Sequence, residues 1–170
     1  DENHGIEDIE NKIIRTIGNP LKRFGEDGLR PIRAIRFQST LDFNIEPETY
    51  KAIFQTRHIT EKISKERFHD ELNKILISKN PFLGLHELYK NQIFELFTKV
   101  TLGQNLDGTN LRSIGKLLVS PFGLRLAYLL DWLLEKNKLT LAEQILKDFR
   151  YSKTNTKDAL FYLELFNCNY

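Results

Sequence analysis

The sequence predicts an all-α chain with one short strand near its start, and three observations carry that reading. Apolar residues recur at helical spacing in several stretches. Helix starts are marked by capping residues, twice with a proline directly behind. Residues 12–17 alone read as a strand, with no evident partner in the rest of the chain. At 170 residues, 20.0 kDa and 41% hydrophobic, the chain can bury one sizeable core or two small ones.

The first strong helix signal lies in Arg23-Phe24-Gly25-Glu26-Asp27-Gly28-Leu29-Arg30-Pro31-Ile32-Arg33-Ala34-Ile35-Arg36-Phe37. With Asp27 as N-cap, Pro31 would remove only the first intrahelical hydrogen bond, so this helix is expected to begin close to Asp27 and to end near Leu41. Leu29, Ile32 and Ile35 form its apolar stripe. Glu46-Pro47-Glu48 places a proline in the first turn of the next helix, through Tyr50, Ile53 and Phe54. Ser64 offers an N-cap to a helix whose Phe68, Leu72, Ile75 and Leu76 should pack on the apolar side of the Arg-rich helix. Asn80-Pro81 repeats the cap-and-proline start, and residues 83–97 should form a short helix pair interrupted near Asn91. A loop is expected over 101–109, around Gly103 and Asp107-Gly108, followed by helices over 111–119, 122–136, 139–149 and 156–166.

The Arg-rich helix carries chemistry as well as packing. At 100° per residue, Glu26 would lie about 40° and Asp27 about 60° from Arg30 around one axis, which sets carboxylate acceptors beside a planar donor fork. Cytosine and adenine each present an amine donor next to a ring-nitrogen acceptor; uracil and guanine present the inverse, a carbonyl beside a ring N–H. A carboxylate with a guanidinium therefore accepts C and A, and against U and G it leaves buried groups unpaired at about 1–3 kcal/mol each. The alternative is an ion pair of Arg30 with Glu26 or Asp27 beside a solvated basic face.

Composition bounds the remaining classes. A single cysteine, Cys168, excludes an internal disulfide framework, and with no signal peptide or long apolar run the expected setting is the reducing cytoplasm, away from membranes. The net charge of +2 is unevenly spread: residues 11–40 carry seven Lys or Arg against two acids, whereas residues 1–10 carry five acids and no Lys or Arg. Positive charge concentrated around Arg30 suits a phosphate-rich partner. No His and Cys spacing suggests zinc, and His58 and His69 read as surface or packing residues. Phe94, Phe97, Phe122, Phe161 and Phe166 fall on apolar stripes and are expected in the core rather than as base-stacking platforms.

Residues 14–37 resemble the junction of head and neck in bacterial class II tRNA nucleotidyltransferases, the CCA-adding enzymes, with Glu26, Asp27 and Arg30 filling the family's EDxxR element. His4 to Gly18 is similar to the family's GGxxDLxxxxIRxxG hinge segment, with Gly5, Asp8 and Gly18 in place. Ile63 to Leu76 is similar to the helix that buttresses the nucleotide template, with Phe68 in place of an aliphatic residue. The resemblance implies that Asp27 and Arg30 pair with the base of CTP or ATP and that Glu26 holds Arg30 in position. It implies a remnant of head and hinge over 1–18, a neck over 19–80 and an RNA-binding body over 81–170, with the strand at 12–17 left from an α/β nucleotidyltransferase head. Arg33 and Arg36 would meet phosphate, and Lys147, Arg150 and Lys153, in a segment similar to the family's body, would track tRNA.

The family's head carries a Gly-Ser turn and an Asp-x-Asp pair that holds two Mg²⁺ ions, and this sequence contains neither. The chain is accordingly expected to be a C-terminal piece of a longer enzyme, without a metal site and inactive alone. The frame Leu124 to Leu134 is similar to the LLHDIGK segment of an appended phosphohydrolase, but it lacks the His-Asp ligands and should be a buried helix. A bacterial poly(A) polymerase, a CC-adding or A-adding specialist, and a helical RNA-binding domain with no enzyme parent are the other readings.

Overall fold

A computed structural model describes residues 4–99, 114, 121–134 and 138–168. The described residues are all-α apart from two strands of two residues, and the chain divides into two compact units, Asp1–Phe97 and Thr98–Tyr170. The first unit runs α1 (Gly5–Glu10), β1 (Ile13–Ile14), α2 (Pro20–Glu26), α3 (Arg30–Leu41), β2 (Asn44–Ile45), α4 (Pro47–Gln55), α5 (Arg57–Thr60), α6 (Lys65–Leu76), α7 (Pro81–Lys90) and α8 (Ile93–Thr98). The second holds α9 (Phe122–Leu133), α10 (Lys138–Asp148) and α11 (Lys153–Cys168). The loop expected over 101–109 and the helix over 111–119 lie outside the described residues, except for the buried Ile114. The helix pair at 81–97, read from sequence as the start of the body, packs within the first unit.

Caps set most helix starts. Glu46 accepts from the amides of Glu48 and Thr49 at 3.0 and 2.7 Å, Ser64 from Arg67 at 3.3 Å, and Asn80 from Leu83 at 3.3 Å. Each satisfies a donor that the first helical turn leaves unpaired.

The strand expected at 12–17 is corrected in both length and pairing. It shortens to Ile13–Ile14 and runs parallel to β2, with Ile13 opposite Asn44 and Ile14 opposite Ile45. The Asn44 and Glu46 amides donate to the Lys12 and Ile14 carbonyls at 2.8 and 2.9 Å. Its partner thus lies within this chain, and two residues are too few to show the alternation by which strands are found. Arg15, just past β1, clasps the buried Asp8 of α1 through Nε and Nη2 at 2.9 and 3.1 Å.

The core of the first unit gathers on α3, α6 and α7. Ile32 and Ile35 meet the face of Phe68, Leu72, Ile75 and Leu76, all at most 2% exposed. Burial of such side chains contributes about 1.5–3 kcal/mol each. Phe68 stacks on Phe97 at 4.1 Å and meets Phe94 edge-on at 6.2 Å, so the aromatic replacement is absorbed by aromatic neighbours. In the second unit α11 packs on α9 and α10. Leu126, Leu129, Leu130 and Leu133 of α9 are buried, and Asp131 pairs with Lys138 at 2.6 Å. Among the five phenylalanines expected inside, Phe94 and Phe97 are buried and Phe122 and Phe166 half-buried, but Phe161 is 55% exposed. Ala159 and Leu163 define the buried face of α11, and Phe161 stands two residues from each, on the opposite side. No helix among the described residues is long and apolar enough to cross a membrane.

Helices α3 and α7 come close at Gly84, where an added Cβ would lie 2.8 Å from Ser39 Cβ of α3 and 2.7 Å from Ile75 Cγ2 of α6. Gly84→Ala should therefore destabilise the chain by about 1–3 kcal/mol, the cost of overpacking. Thermal unfolding followed by circular dichroism checks it, and an unchanged midpoint would show that the two helices separate freely.

Candidate functional site

The Arg-rich segment does not form one helix. Asn19-Pro20 starts α2, with the Asn19 side chain accepting from the Lys22 amide at 3.0 Å, and α2 ends at Glu26. Asp27 is extended, with φ −151° and ψ 112°, and α3 begins only at Arg30 with Leu29 as N-cap. Asp27 is therefore not the cap that the sequence suggests; its Oδ1 accepts from the Leu29 amide at 3.0 Å. Pro31 has no N–H to extend the helical ladder back to Asp27, whose carbonyl accepts from Arg30 N at 3.1 Å. The geometry on a single axis is thus replaced by a turn between two helices.

The turn still joins the acidic and basic groups. Arg30 Nη1 donates to Glu26 Oε2 at 2.5 Å and to the Arg23 carbonyl at 2.7 Å, and Arg23 Nη1 reaches the same Glu26 oxygen at 2.8 Å. Glu26 thereby holds Arg30. Among the described residues, Nε and Nη2 of Arg30 have no acceptor, and its side chain is 33% exposed. Arg67 of α6 donates through Nη2 to both oxygens of Asp27 at 3.2 Å. Among the described residues, Asp27 Oδ2 accepts nothing else, so one of its lone pairs is left open by them.

Both carboxylates are held in the charged form. The hydrogen bond from Arg30, with Arg23 close by, keeps Glu26 below its ordinary 4.5. For Asp27, the Leu29 amide and then the charge and hydrogen bond of Arg67 outweigh partial burial and keep it below 3.8.

Arg33 and Arg36 have different surroundings. Arg36 Nε donates to the buried Glu71 at 2.6 Å, Lys74 bonds the other Glu71 oxygen at 2.8 Å, and the Arg36 guanidinium lies 4.0 Å from the Phe37 ring centroid. Arg33 is exposed and, among the described residues, pairs with no carboxylate; its guanidinium stands 6.0 Å from the same ring. In the second unit Lys147 and Lys153 line an open groove between α10 and α11. Lys157, Tyr151 and Phe161 share it, none of them picked out from sequence as a site residue. Arg150 is exposed at the bend between the helices, with φ 57°. No group of three or more His, Cys, Asp or Glu side chains that could hold a metal occurs among the described residues.

Arg67 is the site residue that the sequence reading missed. It lies 40 residues beyond Asp27, in a helix recognised only as a packing element.

The chain is similar to known proteins in both sequence and fold. Residues 42–101 match the family described as "Probable RNA and SrmB-binding site of polymerase A". A CCA-adding enzyme of Ligilactobacillus salivarius is 47% identical over 91 residues, covering 54% of this chain and 22% of the relative. The crystal structure of the Bacillus stearothermophilus CCA-adding enzyme in complex with CTP superposes with a TM-score of 0.78 at 27% identity, covering 97% of this chain and 40% of that one. A Thermotoga maritima CCA-adding enzyme complexed with tRNA shares the fold, with a TM-score of 0.71 at 23% identity over 96% of this chain and 41% of that one. The chain thus spans less than half the length of each.

The lowered pKa values give a signed test. The contacts of Glu26 and Asp27 should stabilise the turn fully above pH 4.5 and 3.8 and fade as pH falls through their lower folded values. Carbon-detected NMR titration of the two carboxyls should give midpoints below those figures; midpoints at or above them would mean that the contacts do not form in solution.

By sequence over about half of its length and by fold over nearly all of it, the chain is similar to a helical part of the CCA-adding enzymes.

Proposed function

We propose that this chain selects the incoming nucleotide and holds RNA for a nucleotidyltransferase that adds CCA to tRNA 3′ ends. One observation carries the reading: at the EDxxR position, among the described residues, Arg30 keeps donors without an acceptor beside Asp27, which keeps an open acceptor. The amine of cytosine or adenine would donate to Asp27 and the ring nitrogen would accept from Arg30, while Glu26 fixes the guanidinium. Structures of similar proteins in complex with CTP and with tRNA support the substrate class.

Arg33, with no carboxylate partner among the described residues, is the phosphate contact on α3, whereas Arg36 serves mainly to join α3 to α6. Lys147, Arg150 and Lys153 would follow the RNA backbone, and the RNA-binding description of the family matched over 42–101 supports an RNA partner. A reducing cytoplasmic setting fits the single exposed Cys168.

The chemical step is assigned to the family's Gly-Ser and Asp-x-Asp segment, which this sequence does not contain, so the chain alone should be inactive. The two Mg²⁺ ions belong with that segment. The described residues do not form a site that fits them.

A second reading, a bacterial poly(A) polymerase, is favoured by the polymerase A description of the matched family. Primer extension by the longest open reading frame containing this segment separates the two: addition to tRNA should stop at CCA, and a long adenosine tail would favour the polymerase. In the same assay Asp27→Ala should abolish the preference for CTP and ATP over UTP and GTP while leaving the melting temperature within a few degrees. An unchanged preference contradicts the base-reading role.

A further inference from the structure

We propose that Arg67 is a positioning residue for nucleotide choice, setting which oxygen of Asp27 reads the base. This rests on the base-reading role of Asp27 proposed above.

The two oxygens of Asp27 have unequal duties. Oδ1 accepts from the Leu29 amide at 3.0 Å and from Arg67 Nη2 at 3.2 Å, which fills its two lone pairs. Among the described residues, Oδ2 accepts only from the same Nη2, at 3.2 Å, which leaves one lone pair for a ligand donor. Leu29 alone would leave the carboxylate free to rotate about χ2, a broad torsion that a single hydrogen bond to one oxygen does not fix. The second contact, from a different helix, removes that freedom.

The surrounding backbone points the same way. A Cβ at Gly28 would fall 2.5 Å from the Ile59 carbonyl oxygen and 2.9 Å from Thr60 Cα, so the turn carrying Asp27 lies directly against the end of α5. Only Glu61–Ser64 separates α5 from α6 and Arg67. One stretch of chain thus braces both the backbone and the carboxylate of the turn. Arg67 makes its contacts from an exposed position, with 49% of its side chain accessible. A guanidinium placed there also keeps Asp27 ionised and therefore an acceptor only, which is the state that discriminates an amine from a carbonyl.

The test is a double-mutant cycle in the longest open reading frame containing this segment, reading the ratio of kcat/KM for CTP to that for UTP. Arg67→Ala should lower the ratio roughly tenfold, the loss of one charge-assisted hydrogen bond, with the melting temperature held. Arg67→Lys, which keeps a cation at that place, should retain most of it. In the Asp27→Ala background, Arg67→Ala should have no further effect on the ratio. The proposal is overturned if Arg67→Ala leaves the ratio unchanged where Asp27→Ala collapses it, or if its effect persists undiminished without Asp27. An unchanged ratio in Asp27→Ala alone would be a different failure: it removes the base-reading role and the positioning role with it.

Discussion

The break in the helix between Glu26 and Arg30 is the constraint on which the candidate site depends. Had the chain stayed helical from α2 into α3, Asp27 would be one more carboxylate on a helix face, with its backbone amide and carbonyl in the ladder. Instead its extended backbone ends α2, its carbonyl takes the Arg30 amide and its carboxylate takes the Leu29 amide. The residues of one sequence motif then reach one place from three directions: Glu26 from the end of α2, Arg30 from the start of α3, and Asp27 from the turn. Pro31 makes the break inexpensive, because the hydrogen bond it would have donated is the one that the turn gives up.

Scaffold interactions keep α3 where the turn needs it. Arg36 and Lys74 converge on the buried Glu71, tying α3 to α6. Such a cluster adds little net stability over apolar packing, but moving α3 and α6 apart would take Arg36 from the buried Glu71, which favours a single relative placement of the two helices. That placement brings Arg67 of α6 to Asp27. Phe68, directly after Arg67, is fully buried against Phe94 and Phe97, so the backbone that presents Arg67 is anchored in the core. Specificity at the exposed turn is in this sense inherited from packing in the interior.

Local signals were legible in the sequence and distant ones were not. Ser64, Glu46-Pro47 and Asn80-Pro81 announce helix starts because a cap acts within three residues of itself. Asn19-Pro20 carries the same signal, and reading it would have given α2 and the break after it; the carboxylates next to Arg30 drew attention to a single helix instead. The pairing of Ile13–Ile14 with Asn44–Ile45 and the contacts of Arg36 with Glu71 and of Arg67 with Asp27 join residues more than 30 positions apart, and no periodicity reports them. The arginines at three-residue spacing look equivalent in sequence, yet one is committed to the scaffold and another faces solvent. Phe161 shows the limit from the other side: an apolar residue in a helix is buried only if it lies on the face that packs.

The most direct test of the central claim, that Asp27 and Arg30 read the edge of a base, is to titrate the ¹⁵N-labelled chain with CTP, ATP, UTP and GTP and follow the Leu29 amide and the Arg30 side-chain signals by NMR. CTP and ATP should move both sets of signals, while UTP and GTP at the same concentration leave them in place. Equal shifts with all four nucleotides would contradict the account, since they would mean that the turn meets phosphate and sugar and is indifferent to the base.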